Sequence, residues 1–390
     1  MTVAEFPRPE PTGAVVADAP RPSFRYPGID VLRAFAATGV VVAHITKWPW
    51  GYTQAAGMPG RVWNFWSQWI GNWGVGVFFI LSGLCIHLPV ARRLAEGRAP
   101  EIDLGRYFKR RARRIYPPHA VAIFASWAVA AWIALPPGYE RYLSVPTPIQ
   151  LVAHIFMVHT FIPSAFYSVS VVLWTIALEA HFYLLYPAIL RLRRHFGMPA
   201  ICAALFGLMV VLKVLVHAAP QGLASILVVN FPGRWWEWVL GAVLAERVAA
   251  APRMDLSRGL ALGAVALSAV GMCAVARLPH GVLVGVVLGP FVYGATVLVV
   301  TRMRSRPSSV LERLLVGVGV RSYSLYLTHT IALTLVLAAI HGRLETPALQ
   351  VALALAASYL VMALYFRLVE RRFMVPARPA VGPPADLARI

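Results

Sequence analysis

Two ionisable side chains, Arg33 and His44, stand in the apolar run DVLRAFAATGVVVAHI. They are 11 residues apart. At 100° per helical residue that spacing returns to within about 20° of the same face, roughly 16 Å further along the axis. Both are therefore expected to face one cavity. A histidine with an ordinary pKa near 6.5 suits general-base attack by a hydroxyl, or can itself accept an acyl group in a two-step transfer. An arginine beside it stabilises negative charge on a carbonyl oxygen as that carbon becomes tetrahedral. Asp30, one turn before Arg33, is placed to neutralise the guanidinium.

Glu179 is the second costly group, in the middle of VLWTIALEAHFYLLYP with His181 and Tyr183 close by. Carboxylates inside an apolar segment face a cavity or a partner. The basic run YFKRRARRIYPP sets topology and attracts anionic lipid. Within it, Arg111 and Arg114 have the i, i+3 spacing of one helix face and can grip phosphates bidentately. Glu237 follows Arg234 closely enough for an ion pair at a helix end. Cys85, Cys202 and Cys273 lie in apolar runs without metal-ligand spacing and read as small core residues. The chemistry calls for no metal.

The elements that carry these groups follow from composition. Of 390 residues 59% are hydrophobic and 13% charged, with a mean hydropathy of +0.66; soluble domains carry about 25% charge. The bilayer is the solvent. A spanning helix needs roughly 20 apolar residues, and ten segments approach that length: 28–47, 70–90, 117–136, 171–190, 199–218, 233–249, 258–276, 281–301, 320–340 and 347–370. The shorter stretch 149–162, bounded by prolines, fits a re-entrant or interfacial helix. The net charge of +20 is not a nucleic-acid footprint, because the basic residues sit between apolar segments. With a cytoplasmic N-terminus, the clusters around Arg92–Arg114, Arg191–Arg194, Arg302–Arg321 and Arg367 onward fall inside. Lys47, Arg61, Arg141, Lys213, Arg234, Arg277 and Arg343 then fall outside, an asymmetry of about four to one.

The expected fold is all-α, a polytopic integral membrane bundle of about ten transmembrane helices with both termini cytoplasmic. Residues 1–25 form a disordered tail, 26–375 one membrane domain and 376–390 a second tail. The tail has no signal-peptide core. Six tryptophans from Trp48 to Trp73 read as an interfacial belt at the first outer loop.

The ordered motifs resemble the acyltransferase-3 family of membrane acyltransferases, over nearly all of the chain after the tail. The first comprises Gly28, Asp30, Leu32, Arg33, Ala34 and His44. It is followed by GVGVFFILSG at 74–83 and by Arg111, Arg114, Ile115 and Pro117. The segment Trp174 to Pro187 is similar to the family's W-S-L-S-V-E-E-Q-F-Y-L-x-x-P, with Ala177, Ala180 and His181 replacing polar residues around Glu179 and Tyr183. The last motif, S-Y-S-L-Y-L-x-H, matches Ser322 to His329.

The resemblance implies transfer of an acyl group, usually acetyl, from cytoplasmic acyl-CoA to a hydroxyl of a cell-envelope glycan or lipid-linked sugar. Acylation of a secreted small natural product, and transport of such substrates, are the alternatives. On this reading His44, Arg33 and Glu179 are catalytic, Arg111 and Arg114 hold the acyl-CoA phosphates, and Tyr183 and Tyr323 contact substrate. The pantetheine arm reaches up the cavity toward His44, in the inner (plasma) membrane.

Overall fold

A computed structural model describes residues 27–46, 57–133, 142–219, 223–250, 294–296, 309–340, 342–344 and 346–374. Apart from one isolated bridge between Leu143 and Ser170, the regular structure among the described residues is helical. The helices are α1 (Pro27–Thr46), α2 (Gly57–Ala95), α3 (Leu104–Trp132), α4 (Pro148–Ile155), α5 (Trp174–Ala218), α6 (Leu223–Val229), α7 (Phe231–Ala250), α8 (Val310–Val320), α9 (Ser322–Ile340) and α10 (Pro347–Leu368). Short 3₁₀ turns occupy His159–Phe161 and Glu370–Phe373.

Among the described residues, five helices are long and apolar enough to cross a membrane: Pro27–Ile45, Ile70–Ala95, Trp174–Ala218, Ser322–Ile340 and Ala348–Leu368. Gly197, at φ 72° and ψ 157°, interrupts α5. Only glycine adopts that backbone cheaply, so α5 is two limbs, 174–196 and 198–218, as the expected spans 171–190 and 199–218 require. The segments expected at 117–136 and 233–249 are helical as α3 and α7, but neither is among these five. The apolar part of α3 opens on Pro117, Pro118 and His119, and α7 carries Arg234, Glu237, Glu246 and Arg247. The expected span 258–276, all of 281–301 but 294–296, both tails, Trp48 and Trp50 of the tryptophan belt and Cys273 lie outside the described residues. Residues 148–155 form the short helix expected there, started by a Thr147–Gln150 capping box. The inner loop expected at 302–321 contains a helix instead, α8, because Ser309 and Glu312 cap its first turn reciprocally.

Packing explains how α7 tolerates its charges. It lies along α2 and against α5, with Trp236, Trp238, Val239, Ala242 and Leu244 buried. Its acids are matched: Glu237 pairs with Arg234 at 2.9 Å, and Glu246 accepts from Arg193 Nε at 2.5 Å and contacts His87 Nε2 at 2.9 Å. The α2–α7 crossing is closed by reciprocal glycines. A Cβ on Gly83 would run into the carbonyl oxygen of Trp238, and one on Gly241 into that of Ile80. Small residues at such a crossing let backbones approach and maximise dispersion contacts where no water drives burial.

Two prolines shape α3. Pro117 and Pro118 each remove a helix N–H. Nearby carbonyls take donors from other helices: Tyr323 donates to Ile115 O at 3.0 Å, and Tyr365 donates to Pro118 O. These bonds tie α9 and α10 to the turn of α3 that carries Arg111 and Arg114.

Candidate active site

A cavity of about 120 Å³ lies where α1, α2, α3, α5 and α9 meet. Arg33 enters from α1, Arg111 and Arg114 from α3, Glu179 and Tyr183 from α5, and Tyr323 from α9. Six of the seven residues singled out by sequence thus face one space, from four helices distant in the chain.

The carboxylate is built into a network. Glu179 Oε1 accepts from Ser82 Oγ at 2.9 Å and from Tyr183 OH at 2.5 Å. Ser82 Oγ also lies 3.0 Å from Tyr183 OH and accepts from the buried Trp238 Nε1 at 3.2 Å. Ala177, Ala180 and His181 add no hydrogen bond to this network, and Ser82 of α2, within the 74–83 motif, joins Glu179, Tyr183 and Trp238. His181 itself packs between Phe161 and Phe231, with ring centroids 5.2 and 5.7 Å away.

The arginines sit differently from one another. Arg114 Nη2 pairs at 2.7 Å with Glu370, a fully buried carboxylate that also accepts from the Ser324 N–H at 3.0 Å and from the Ser324 hydroxyl. Arg111 lies over the Tyr183 ring at 5.8 Å, and Arg114 over the Tyr323 ring at 5.6 Å. Such stacking holds a guanidinium while leaving its edge donors available. Arg33 Nε, Arg111 Nε and Arg114 Nη1 are buried without a hydrogen-bond partner. Buried donors of this kind are rare in native proteins, and around a cavity they suit anionic oxygens. Tyr183 and Tyr323 give their hydroxyls to the protein and their ring faces to the arginines.

His44 is placed apart. It is not among the residues lining this cavity, although it shares a face of α1 with Arg33. Phe78 and Tyr326, both in the cavity lining, meet edge to face at 5.8 Å. Tyr326 lines the cavity and packs on His329 at 5.8 Å, and His329 packs on His44 at 5.1 Å. Tyr142 donates to His44 O at 3.1 Å. The spacing placed both residues toward one cavity; the structure puts Arg33 in its lining and His44 against His329 instead.

Sequence reasoning missed Ser82, Glu370 and Cys85. Ser82 is one hydroxyl in an apolar run, and Glu370 one acid among arginines; a lone acid in a basic terminus is the signal that would have found the second. Cys85 is exposed and lines the cavity rather than packing in a core, whereas Cys202 is half-buried with its thiol 3.7 Å from Trp236 O. The Arg234–Glu237 pair forms as the sequence suggested.

A family model described as an acyltransferase domain matches residues 26–367. Among curated relatives, the O-acetyltransferase OatA of Staphylococcus aureus strains NCTC 8325 / PS 47, COL and MRSA252 is 26% identical over 181 residues. The alignment covers 43% of this chain and 25% of each relative, so the chain spans about a quarter of the length of the curated relatives it matches. No solved structure matches.

Proposed function

The chain belongs to the acyltransferase-3 family, and from that premise we propose that it moves an acyl group, most simply acetyl, from cytoplasmic acyl-CoA to a hydroxyl of a cell-envelope glycan or lipid-linked sugar, across the inner membrane. The relatives named O-acetyltransferase support oxygen as the acceptor atom and acetyl as the group. The observation that carries the reading is the cavity with three arginines whose buried donors lack partners, opposite one hydrogen-bonded carboxylate. Such a site favours a polyanionic ligand with a long neutral arm.

In this mechanism Arg111 and Arg114 hold the phosphates of the donor, with Tyr183 and Tyr323 as their stacking supports. The thioester end points past Arg33, whose guanidinium stabilises the oxyanion of the tetrahedral intermediate. Glu179, held by Ser82 and Tyr183, balances the charge of the arginines and orients Tyr183 under Arg111. His44 is the base. The acceptor O–H proton goes to His44 as the oxygen attacks the acyl carbon; the C–S bond then breaks, and the leaving thiolate takes the proton back. For the acyl carbon to meet His44 the Tyr326 ring must turn aside, and its hydroxyl is tethered by Thr175 Oγ1 at 2.7 Å.

The test is mass spectrometry of envelope glycans and exported metabolites from cells with and without the protein. Loss of an acyl mass from a glycan is the expected result. Loss from a secreted metabolite alone would move the acceptor to the alternative class, and unchanged acylation in both fractions would overturn the reading.

A further inference from the structure

His329 closes the last sequence motif but has no role in the mechanism above. It is fully buried on α9, and its surroundings define its proton positions. Its Nδ1 lies 2.8 Å from Tyr326 O and 3.2 Å from Leu325 O. Carbonyl oxygens only accept, so Nδ1 carries the hydrogen and Nε2 the lone pair. On α1, His44 Nδ1 lies 2.8 Å from Val40 O and therefore also carries its hydrogen. The distance between His329 Nε2 and His44 Nδ1 is 3.4 Å. The lone pair of one ring thus meets the N–H of the other. A doubly protonated His329 would set two N–H groups against each other, so the arrangement requires His329 neutral.

We propose that His329 is a positioning residue for acyl transfer: its Nε2 accepts the Nδ1–H of His44 alongside Val40 O and so fixes the tautomer in which His44 Nε2 is the basic nitrogen. The inference rests on the reading of His44 as the base and adds what orients it. When His44 Nε2 takes the acceptor proton the ring becomes an imidazolium, and its Nδ1–H gains strength as a donor. Val40 O and His329 Nε2 then share it in a medium that screens little. The arrangement does for His44 what a buried carboxylate does for the base of a hydrolytic triad, with a neutral acceptor that avoids placing a second full charge in the membrane. Ser170 Oγ lies 3.0 Å from Thr330 Oγ1, pinning the next residue of α9 to the segment before α5.

Two substitutions separate this role from packing. His329→Phe keeps a ring against Tyr326 and His44 but removes the acceptor; His329→Gln loses the ring but returns a side-chain oxygen that can accept from His44. The assay is acyl transfer by the full chain in proteoliposomes, with kcat and the KM for acetyl-CoA read separately. The expected result is a fall in kcat of about 10- to 100-fold for Phe, the worth of a hydrogen bond to a charged group. KM should be unchanged, and kcat substantially recovered in Gln. Phe matching wild type, or Phe outperforming Gln, would overturn the proposal and leave His329 a packing residue.

His44→Ala distinguishes failure of the parent reading. If it stays active, the base assignment falls and this inference with it. If it is dead while both His329 variants turn over normally, the base stands and only the positioning role falls. ¹⁵N spectra of histidine-labelled wild-type protein in bilayers, with His44 assigned through His44→Ala, test the tautomer on which the proposal depends even if neither His329 variant inserts. A protonated Nδ1 and bare Nε2 on His44 are expected; the opposite tautomer would overturn the proposal.

Discussion

Arg111 and Arg114, equivalent by sequence, are expected to fail in different ways. Arg111 has no carboxylate partner among the described contacts; it lies over Tyr183 with Nε unpartnered. Arg111→Ala removes a ligand donor and little else. One lost charge-assisted hydrogen bond is worth about 1.5–3 kcal/mol, so the KM for acyl-CoA should rise by roughly 10- to 100-fold while the level of folded protein stays near wild type. Arg114→Ala also strips the partner from Glu370, which is fully buried and left with only the Ser324 donors. Removing one member of a fully buried pair costs about 3–5 kcal/mol. The Arg114 side chain is 29% exposed, so about 2–3 kcal/mol is the better figure here. Folded yield and thermal midpoint should fall before any kinetic effect can be read. Adding Glu370→Gln to Arg114→Ala removes the stranded charge, keeps an acceptor for Ser324, and should restore most of the loss. The assay is fluorescence-detected size exclusion with a thermal ramp, followed by kinetics on the surviving protein. If Arg111→Ala destabilises as much as Arg114→Ala, or if Glu370→Gln fails to rescue, the division of labour between the two arginines is wrong.

Three further outcomes are expected. Gly241→Ala should cost about 1–3 kcal/mol by overpacking the α2–α7 crossing, whereas Gly207→Ala, whose Cβ meets nothing within 4 Å, should be neutral or gain up to about 1 kcal/mol of helix propensity; thermal midpoints of the purified variants compare the two. Cys85, exposed in the cavity, should be alkylated by a maleimide faster than Cys202, and CoA should slow that reaction; peptide mass spectrometry reads it, and labelling indifferent to CoA would place the ligand elsewhere. A reporter fused after Arg372, or inserted at Arg98, should read cytoplasmic on the proposed topology, and an outer-face signal at either position would refute it.

The parts of the site legible in sequence were those whose cost advertises them. Arg33 and Glu179 are charges in apolar runs, which pointed them to a cavity or partner, and Arg111 and Arg114 share the spacing of one helix face, which marked them as a pair able to hold phosphates. Ser82 was not legible, because a serine can satisfy itself on its own helix and marks no cavity. Glu370 was hidden in the basic terminus, where charge pairing with any arginine seemed as good as another; only the chain's path brings it back to Arg114. The surroundings of His44 depend on His329 of α9 and on Tyr142. A helical wheel drawn for α1 contains neither residue. On α7 the Arg234–Glu237 pair was legible from its i, i+3 spacing, but the partners of Glu246 were not, because Arg193 and His87 come from α5 and α2.

The central claim is that the arginine-lined cavity receives acyl-CoA. The most direct measurement is calorimetric titration of CoA into the purified protein in nanodiscs, for wild type and Arg111→Ala. The account predicts a single saturable site that weakens with added salt, with affinity reduced by about tenfold or more in Arg111→Ala. Wild-type protein that does not bind CoA, or an Arg111→Ala variant that binds it as wild type does, would contradict it.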